Sequence, residues 1–451
     1  MAVIELGLVT GDDEEPRAPA RRRVRPGDIR ILAAVVAVLC VVAVTGSEPP
    51  ESHAPVTLWS VPLQGGSDSF ASEGSNVYVL SSGEGYGAQR SLTAYDLRNG
   101  TARWSVQGVD DATWIGSVTD GVLTLPAAGT TVEYENSDGS KGLREYTRDT
   151  IALDTATGQE LWRLRGEFFS SGGGRVLLGE WNSEGSTVSS LRVVGLRDGV
   201  TAWRRTGSGA QSWVTTNGVL SDRLVTATAE GLVEVLDFAD GHVVATQRLP
   251  WQPAADSSEQ TTELSVEEHT LYLRTVDGDR GRVVAYDTET LRELWRLDSR
   301  PFGGFYACGP VMCLNDDNGI SGYDPVTGQL RWQRPGGGYA FPLYDDRLVV
   351  DEDQDGSRHS VIDGRTGATL TDLGTATLVW SYTDGSDQVY ALTRTTQPPG
   401  ATAVSALDKR TGTLAMRGLI PQVQDYGCQA AEKLLVCATN NAQLSVTDLA
   451  F

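Results

Sequence analysis

A short motif recurs along most of the chain and constrains the fold more than any other feature. Each copy is an extended run that ends in Asp, continues through a Thr-Gly turn and leads into a run bearing Trp. Nine copies, some without the Gly or the Trp, begin near residues 96, 154, 196, 237, 287, 324, 363, 408 and 448. The third copy is shortened, with Arg197 in the Asp position and Trp203 in the Trp position. Self-similarity at roughly 40–50 residues is typical of propellers and solenoids.

The flanks of the motif predict β-strands. Residues 91–95, 282–286 and 403–407 alternate in polarity or are β-branched and apolar, and two further strand candidates precede each turn. The sequence therefore predicts an all-β fold, a β-propeller of eight or nine four-stranded blades. An irregular unit at 191–205 leaves the number of blades open.

The two ends of the repeat region complement each other. The last unit stops shortly after its Asp, whereas residues 56–60 carry Trp59 in the Trp position with no Asp before it. We therefore expect the N- and C-terminal strands to pair within one last blade. Such a closure leaves no open sheet edge.

The tandem Asp-x-x-Thr-Gly-x-x-x-Trp pattern resembles the pyrroloquinoline-quinone-like (PQQ-like) β-propeller repeat family. Residues 154–162 and 324–332 match it most fully. The resemblance covers residues 56–451 and implies either a quinoprotein dehydrogenase or a propeller without cofactor, such as the protein-binding lipoproteins of outer-membrane assembly. In the dehydrogenases a vicinal disulfide stacks on the quinone, and no two cysteines are adjacent here.

A membrane segment precedes the repeats. Residues 31–44 are uninterruptedly apolar and follow a cluster of arginines at 21–25. We expect residues 29–46 to form a single transmembrane signal anchor, with a disordered tail at 1–28 in the cytoplasm and a linker at 47–55. The propeller at 56–451 then lies outside the cytoplasm, at the cell membrane. A cleaved signal peptide is the alternative, since the apolar core is short.

Charge limits the partners. The formal net charge is −22, and residues 1–30 contribute nothing to it because six Arg balance six Asp and Glu. So acidic a propeller repels phosphate backbones, and we expect no nucleic-acid partner.

The cysteines of the propeller fall into two short-range pairs. Cys308 with Cys313, and Cys428 with Cys437, each bracket the turn between the first and second strands of a unit. We expect two structural disulfides formed in an oxidising compartment.

One acidic turn has the spacing of a calcium loop. Asp351, Asp353 and Asp355 alternate before Gly356, as in the first half of such a loop, but His359 occupies the position where a closing carboxylate is expected. Calcium binding and a solvated acidic turn remain alternatives.

An aromatic residue recurs where the innermost strand of most units should begin. These residues include Phe70, Trp114, Trp213, Phe305, Tyr339, Trp380 and Tyr426. They predict either a binding funnel at the mouth of the channel or packing between neighbouring blades.

No catalytic constellation accompanies these features. We expect a membrane-anchored extracytoplasmic β-propeller that acts as a non-catalytic binding scaffold for an envelope protein, a peptide or a glycan. We expect no cofactor, with calcium as the open alternative. A PQQ-dependent oxidoreductase-like enzyme and a calcium-dependent extracellular receptor module are the alternative functions.

Overall fold

The structure, a computed structural model, describes residues 54–63, 68–81, 90–109, 112–135, 141–216, 222–251, 260–300, 303–353, 356–380, 389–431 and 433–449. The predicted tail, the anchor and residues 47–53 of the linker lie outside these ranges. Among the described residues, no helix has the length and apolar character needed to cross a membrane.

The described backbone is all-β and forms 35 strands, grouped here into nine sheets. β1 (Val56–Pro62) precedes sheet 1. Sheet 1 contains β2 (Ser69–Glu73), β3 (Asn76–Ser81), β4 (Ser91–Asp96) and β5 (Ala102–Gln107). Sheet 2 contains β6 (Ser117–Thr119), β7 (Val122–Glu135), β8 (Lys141–Asp154) and β9 (Glu160–Arg165). Sheet 3 contains β10 (Glu167–Gly172), β11 (Arg175–Trp181), β12 (Val188–Gly195) and the first part of β13 (Thr201–Thr215), whereas sheet 4 contains the last part of β13, β14 (Arg223–Thr228), β15 (Leu232–Asp237) and β16 (Val243–Arg248).

The remaining sheets follow the same order. Sheet 5 contains β17 (Gln260–Glu267), β18 (Thr270–Asp277), β19 (Arg280–Asp287) and β20 (Glu293–Ser299), and sheet 6 contains β21 (Gly304–Ala307), β22 (Met312–Asp316), β23 (Gly319–Tyr323) and β24 (Leu330–Pro335). Sheet 7 contains β25 (Ala340–Tyr344), β26 (Arg347–Asp351), β27 (Arg358–Asp363) and β28 (Thr369–Thr375), and sheet 8 contains β29 (Thr377–Trp380), β30 (Val389–Arg394), β31 (Ala401–Leu407) and β32 (Leu414–Pro421). Sheet 9 combines β33 (Val423–Ala431), β34 (Leu434–Thr439) and β35 (Gln443–Asp448) with β1.

All sheets are antiparallel, and neighbouring strands follow chain order except in sheet 9. There β1 pairs with β35, from Val56 opposite Asp448 to Pro62 opposite Gln443. The prediction that residues 56–60 complete the last unit is therefore confirmed. Sheets 3 and 4 are hydrogen-bonded into one seven-stranded sheet because β13 pairs first with β12 and then with β14.

The Asp of the repeat builds the turn between the third and fourth strands. The Oδ1 atom of Asp154 accepts hydrogen bonds from the amides of Ala156 and Thr157, both at 3.0 Å, and from the Thr157 hydroxyl. Gly158 then adopts a φ of 71°, which a glycine reaches without strain. At the equivalent turn of sheet 6, a hydrogen bond from Arg331 lowers the pKa of Asp324 to about 2.

The third copy of the repeat corrects the sequence interpretation. Gly199 N–H donates to the carbonyl of Gly195, as Gly158 N–H donates to Asp154, so Gly195 occupies the Asp position and the copy has full length. Arg197 lies within the turn and instead reaches Asp154 of the preceding sheet, 3.0 Å away. The error arose because the motif lost its Asp while keeping its Gly and Trp.

The Trp of one sheet binds the turn of the next. Trp104 Nε1 donates to the carbonyl of Thr155 at 2.9 Å, and a Cβ atom on Gly158 would lie 2.5 Å from the Trp104 ring. The same contact joins Trp162, Trp203, Trp295 and Trp332 to the following sheet, and Trp59 of sheet 9 to Leu97 and Gly100 of sheet 1. The repeated Gly thus supplies both the turn conformation and the space for the indole.

Hydrophobic clusters fill the space between successive sheets. The middle strands are buried on both faces, so they are continuously apolar, as in residues 77–80 of β3. One cluster joins Val77 and Val79 of sheet 1 to Val436 and Val446 of sheet 9. Eight further clusters join the other neighbouring pairs of sheets. Together the sheets and clusters have the organisation of a β-propeller.

Both predicted disulfides are present. Cys308 bonds to Cys313 across the turn between β21 and β22. Cys428 bonds to Cys437, its cross-strand partner on β34. Each therefore fixes the inner hairpin of its sheet.

Candidate binding cleft

Each sheet places two kinds of connection at opposite ends. The turns after the first and third strands meet at one end, where Leu97 N–H donates to the carbonyl of Ser75 and Thr155 N–H donates to that of Gly121. The turns after the second strands and the connections between sheets lie at the other end, here called the loop face. Most of the aromatic residues predicted to form a funnel lie at or near this end, on the first strands or just before them. Trp380 is the exception: it ends β29 opposite Val389, at the end with the turns after the first and third strands, so its predicted place at the loop face is wrong.

The structure separates these aromatic residues into a packed group and an exposed group. Phe305 is 7% exposed and packs between sheets 5 and 6, with its ring 5.4 Å from that of Tyr272. Phe70, Trp213 and Trp380 are half-buried against the clusters between sheets. In contrast, Trp114 is 48% exposed, Tyr339 is 46% exposed and Tyr426 is 80% exposed.

Beside Trp114, a long hairpin extends past the neighbouring strands. Strands β7 and β8 pair from Val122 opposite Asp154 to Glu135 opposite Lys141, whereas most strands are about half as long. The inner strand β6 covers only residues 122–124 of β7, and one bridge joins Ala112 to Ala127. Beyond Ala127, β8 is the sole strand paired with β7 in the part of the chain that the structure describes.

A cleft of about 440 Å³ lies at the base of this hairpin. We call it the hairpin cleft, and its walls are Thr113, Trp114, Gly129, Thr130, Thr131, Glu145, Tyr146, Thr147 and Glu167. The connection between sheets 1 and 2, both hairpin strands and the first residue of β10 therefore contribute to one site.

Two polar groups of the hairpin cleft are unusual. Thr147 is 6% exposed, and its buried Oγ1 atom has no hydrogen-bond partner among the described residues. Burial raises the pKa of the Glu167 carboxyl, although the Trp181 indole N–H and the Thr147 amide both donate to it. Burying a hydroxyl without a hydrogen-bond partner destabilises the protein. A ligand that supplies the partner removes this cost, and its binding is strengthened accordingly.

An aromatic wall supports this side of the site. Phe169 and Trp213 stack with ring centroids 4.0 Å apart, and Trp181 packs edge-on against Trp213 at 5.4 Å. Tyr146 of the hairpin lies 6.1 Å from Trp181. Trp213, a predicted binding residue, therefore packs behind the residues that line the cleft, and its contacts join sheets 3 and 4.

The charged side chains described in the cleft lining are acidic. Glu145 and Glu167 line it, and no Lys or Arg is among the lining residues that the structure describes. Of the nearby arginines, Arg144 donates to the carbonyl of Gly185 at 2.6 Å, and Arg90 donates to those of Ala112 and Thr113. These guanidinium groups are held on backbone oxygens at the rim.

The acidic turn of the predicted calcium site is partly described. Asp351 is 7% exposed; its Oδ1 lies 2.9 Å from Nδ1 of His359, and its Oδ2 accepts from the Tyr339 amide at 3.4 Å. Asp353 accepts hydrogen bonds from the amide and hydroxyl of Ser357. Asp355 lies outside the described residues, so calcium binding there stays a prediction.

A second group of possible metal ligands was not singled out in the sequence. Asp237, Asp240 and His242 lie together on the turn of sheet 4. Asp240 Oδ1 is 2.7 Å from His242 Nδ1, and Asp237 is 3.1 Å from Arg223. Asp237 is thus paired with an arginine of β14, and Asp240 with a histidine of the same turn.

The cysteines do not fit the quinone site that the family resemblance implies. That site needs a disulfide between adjacent residues, whereas the two disulfides here have sequence separations of 5 and 9. Each lies across a hairpin, so neither forms the vicinal platform.

Comparison with known proteins supports the repeat family. The family model for outer membrane protein assembly factor BamB matches residues 147–335. This stretch is similar to the PQQ-like repeat family. The prediction made from the Asp-Thr-Gly-Trp motif is thus confirmed, and the match includes Thr147 and Glu167 of the hairpin cleft.

Solved structures with similar architecture are remote in sequence. BamB from Moraxella catarrhalis is 14% identical, with a TM-score of 0.43 over 87% of this chain and 99% of that chain. A quinohemoprotein alcohol dehydrogenase from Pseudomonas putida HK5 is 15% identical, with a TM-score of 0.37 over 69% of this chain and 63% of that chain. No curated protein sequence matches the chain. These likenesses carry no argument about function.

Proposed function

We propose that this chain is a membrane-anchored, extracytoplasmic β-propeller whose loop face binds another protein of the cell envelope as a non-catalytic scaffold. The hairpin cleft is the observation that carries the proposal. It combines an exposed Trp114, a buried Thr147 hydroxyl without a partner among the described residues, and a strand that extends beyond its sheet partner. Exposed aromatic side chains with convergent polar groups are typical of protein-binding sites.

The architecture supports a rigid platform. In the proposal, the nine sheets form one closed ring, with sheet 9 built from both ends of the propeller. The pairing of β1 with β35 and the Trp59 contact with sheet 1 support this closure. The two hairpin disulfides suit an oxidising compartment outside the cytoplasm.

The family supports a protein partner. The matching model is named for an assembly factor of outer membrane proteins, and such a role is carried out through contacts with other proteins. The predicted anchor at 29–46 would hold the propeller at the membrane. The acidic surface disfavours nucleic acid as a partner.

Site-specific photo-crosslinking in intact cells tests this function. A photoreactive phenylalanine analogue at Trp114 or Tyr426 should give discrete protein adducts. Val326 provides the matched control, because it is 79% exposed but lies on an Asp-Thr-Gly turn at the opposite end. Equal labelling at Val326, or no protein adduct at either loop-face position, would refute a protein-binding loop face.

Localisation has its own test. Protease added to spheroplasts should degrade the propeller while an epitope at the N-terminal tail survives. Degradation of the tail with an intact propeller would reverse the proposed topology.

The enzyme alternative is tested by reconstitution. The full-length chain is incubated with pyrroloquinoline quinone and calcium, and dye-linked oxidation of alcohols and sugars is followed. We expect no turnover above that of the free quinone. A stoichiometric quinone spectrum with dye reduction would replace the scaffold proposal by an oxidoreductase.

A further inference from the structure

We infer that the hairpin cleft binds an extended peptide segment of the partner, which adds a strand to β7 and directs a Lys or Arg side chain to Glu167. This inference rests on the proposed protein-binding function and specifies how the partner is held. Four features of the described residues support it.

The first feature is the exposed edge of β7. Residues 129–133 pair with β8 on one side, and in the described residues no strand covers their other side. An unpaired strand edge presents backbone N–H and C=O groups in a row. An extended peptide satisfies such a row by strand addition, whereas a glycan has no matching repeat of donors and acceptors.

The second feature is the hydroxyl of Thr147. Its Oγ1 atom is buried and lacks a partner among the described residues, and Thr147 is one of the residues that line the cleft. A backbone or side-chain group of the bound segment would complete this hydrogen bond. Thr147 shares this state with other hydroxyls, such as those of Ser170 and Thr228, but it is the one that belongs to a residue of the cleft lining, which makes it the candidate partner for a ligand group.

The third feature is the charge of the wall. Glu145 and Glu167 are the carboxylic acids of the lining, and the described part of the lining contains no basic side chain. Arg90 and Arg144, on segments that border the cleft, donate to backbone carbonyls. A cationic side chain from the partner would therefore complement the site, and a charge-assisted hydrogen bond to Glu167 would offset the cost of its burial.

The fourth feature is Trp114 at the rim. Its side chain is 48% exposed, which is unusual for Trp and leaves a face available for contact. An indole face binds both apolar side chains and the aliphatic stem or charge of Arg and Lys. Trp114 thus anchors the same basic segment that reaches the carboxylates.

The test starts from an unbiased set of ligands. Phage-displayed random 12-residue peptides are selected on the full-length protein in detergent, and the enriched peptides are synthesised. We expect enrichment of Lys or Arg among residues that favour extended structure. N-methylation of alternate backbone amides should abolish binding, because strand addition uses every second amide.

Substitutions assign the binding to the cleft. Trp114→Ala and Glu167→Gln should each weaken peptide binding about tenfold, and Thr147→Val several-fold. Tyr339→Ala is the matched control: Tyr339 is 46% exposed, lies on the same face outside the cleft and should change binding less than about twofold. Thermal unfolding of each variant shows whether the fold is retained.

Hydrogen exchange provides an independent readout. On peptide binding, the amides of residues 129–133 should become protected, whereas those of the hairpin between β18 and β19 should not change. Binding that is insensitive to all three cleft variants overturns the inference. Selection of oligosaccharides by the cleft in a glycan array, with no peptide enriched, overturns it as well.

The outcomes separate this inference from the proposed function. If photo-crosslinks from Trp114 and Tyr426 still capture a protein while the cleft variants bind it normally, the scaffold function stands and the peptide cleft is wrong. If no loop-face position gives a protein adduct, the proposed function itself falls.

Discussion

Burial gives Glu167 a role in stability that is separate from its role in binding. Its pKa is raised because the carboxyl is desolvated beside the Trp181 indole. The native state therefore holds the proton to a higher pH than the unfolded chain does. The free energy of unfolding contributed by this group is largest below the unfolded pKa and falls as the pH rises through the native pKa.

Glu167→Gln should remove this pH dependence. Gln retains an acceptor for the Trp181 indole but carries no charge, so the variant should unfold at a higher temperature than the parent at pH 7. The difference should shrink as the pH approaches 4. Thermal unfolding of both proteins across this range measures the effect, with Glu145→Gln as the exposed control from the same cleft. If the variant is less stable than the parent at pH 7, the native environment favours the charged carboxylate of Glu167, and the expected direction is wrong.

Single residues also mark the limit of sequence interpretation. Phe305 and Trp114 occupy corresponding places in their units, yet one is 7% exposed and the other 48% exposed. The pattern locates both, but their burial depends on which neighbouring side chains reach them. Glu167 had no sequence signal, because it is one of 59 acidic residues and only its environment distinguishes it.

Among the elements, the Asp-Thr-Gly turn is the one that sequence predicted most fully. Its hydrogen bonds are local, so residue identity alone specifies them. The long hairpin of β7 and β8 was missed, since its extra length continues the same alternating pattern and the tip interrupts no motif. Strand β13 was missed for a related reason: it passes from one sheet to the next without a turn, which a unit-by-unit interpretation does not anticipate.

Two glycines test how the turn joins neighbouring sheets. Gly158 and Gly174 have nearly equal φ values of 71° and 70°. A Cβ atom at Gly158 would meet the Trp104 ring, whereas no atom of the described residues lies within 4 Å of a Cβ atom at Gly174. Gly174→Ala should therefore cost only backbone strain, about 1–2 kcal/mol. Gly158→Ala should cost a further 1–3 kcal/mol, roughly, because the indole must move.

Urea unfolding of the two variants gives this difference directly. The double variant Gly158→Ala with Trp104→Ala should lose less free energy of unfolding than the two single variants lose together, since the clash disappears with the ring. Equal destabilisation by Gly158→Ala and Gly174→Ala would mean that the Trp contact adds nothing to the turn.

For the whole molecule, stability depends on whether the contact between sheets 9 and 1 resembles the contacts between the other neighbouring sheets. Trp59 makes the same contact there as Trp104 makes between sheets 1 and 2, with Nε1 to carbonyl distances of 2.9 Å in both. A hydrophobic cluster also fills the space between sheets 9 and 1, as between the other neighbouring sheets. In the proposed ring, the pairing of β1 with β35 holds together segments that are far apart in sequence. The loss of chain entropy on closing so long a loop is then a large cost of folding.

A disulfide across this closure should reveal that cost. Thr57 and Thr447 are cross-strand partners of β1 and β35, so Thr57→Cys with Thr447→Cys links the two ends of the propeller. The control joins Thr93 and Ser105, which are also cross-strand partners, with hydroxyl oxygens 3.0 Å apart, but lie within one hairpin. By loop-closure entropy, the terminal link should stabilise the protein by about 3 kcal/mol more than the control link. Urea unfolding of the oxidised and reduced forms measures both effects, because reduction removes the link without changing the substitutions. If the oxidised terminal pair forms but stabilises no more than the hairpin pair, the termini separate before the propeller unfolds, and the closure does not hold the ring together.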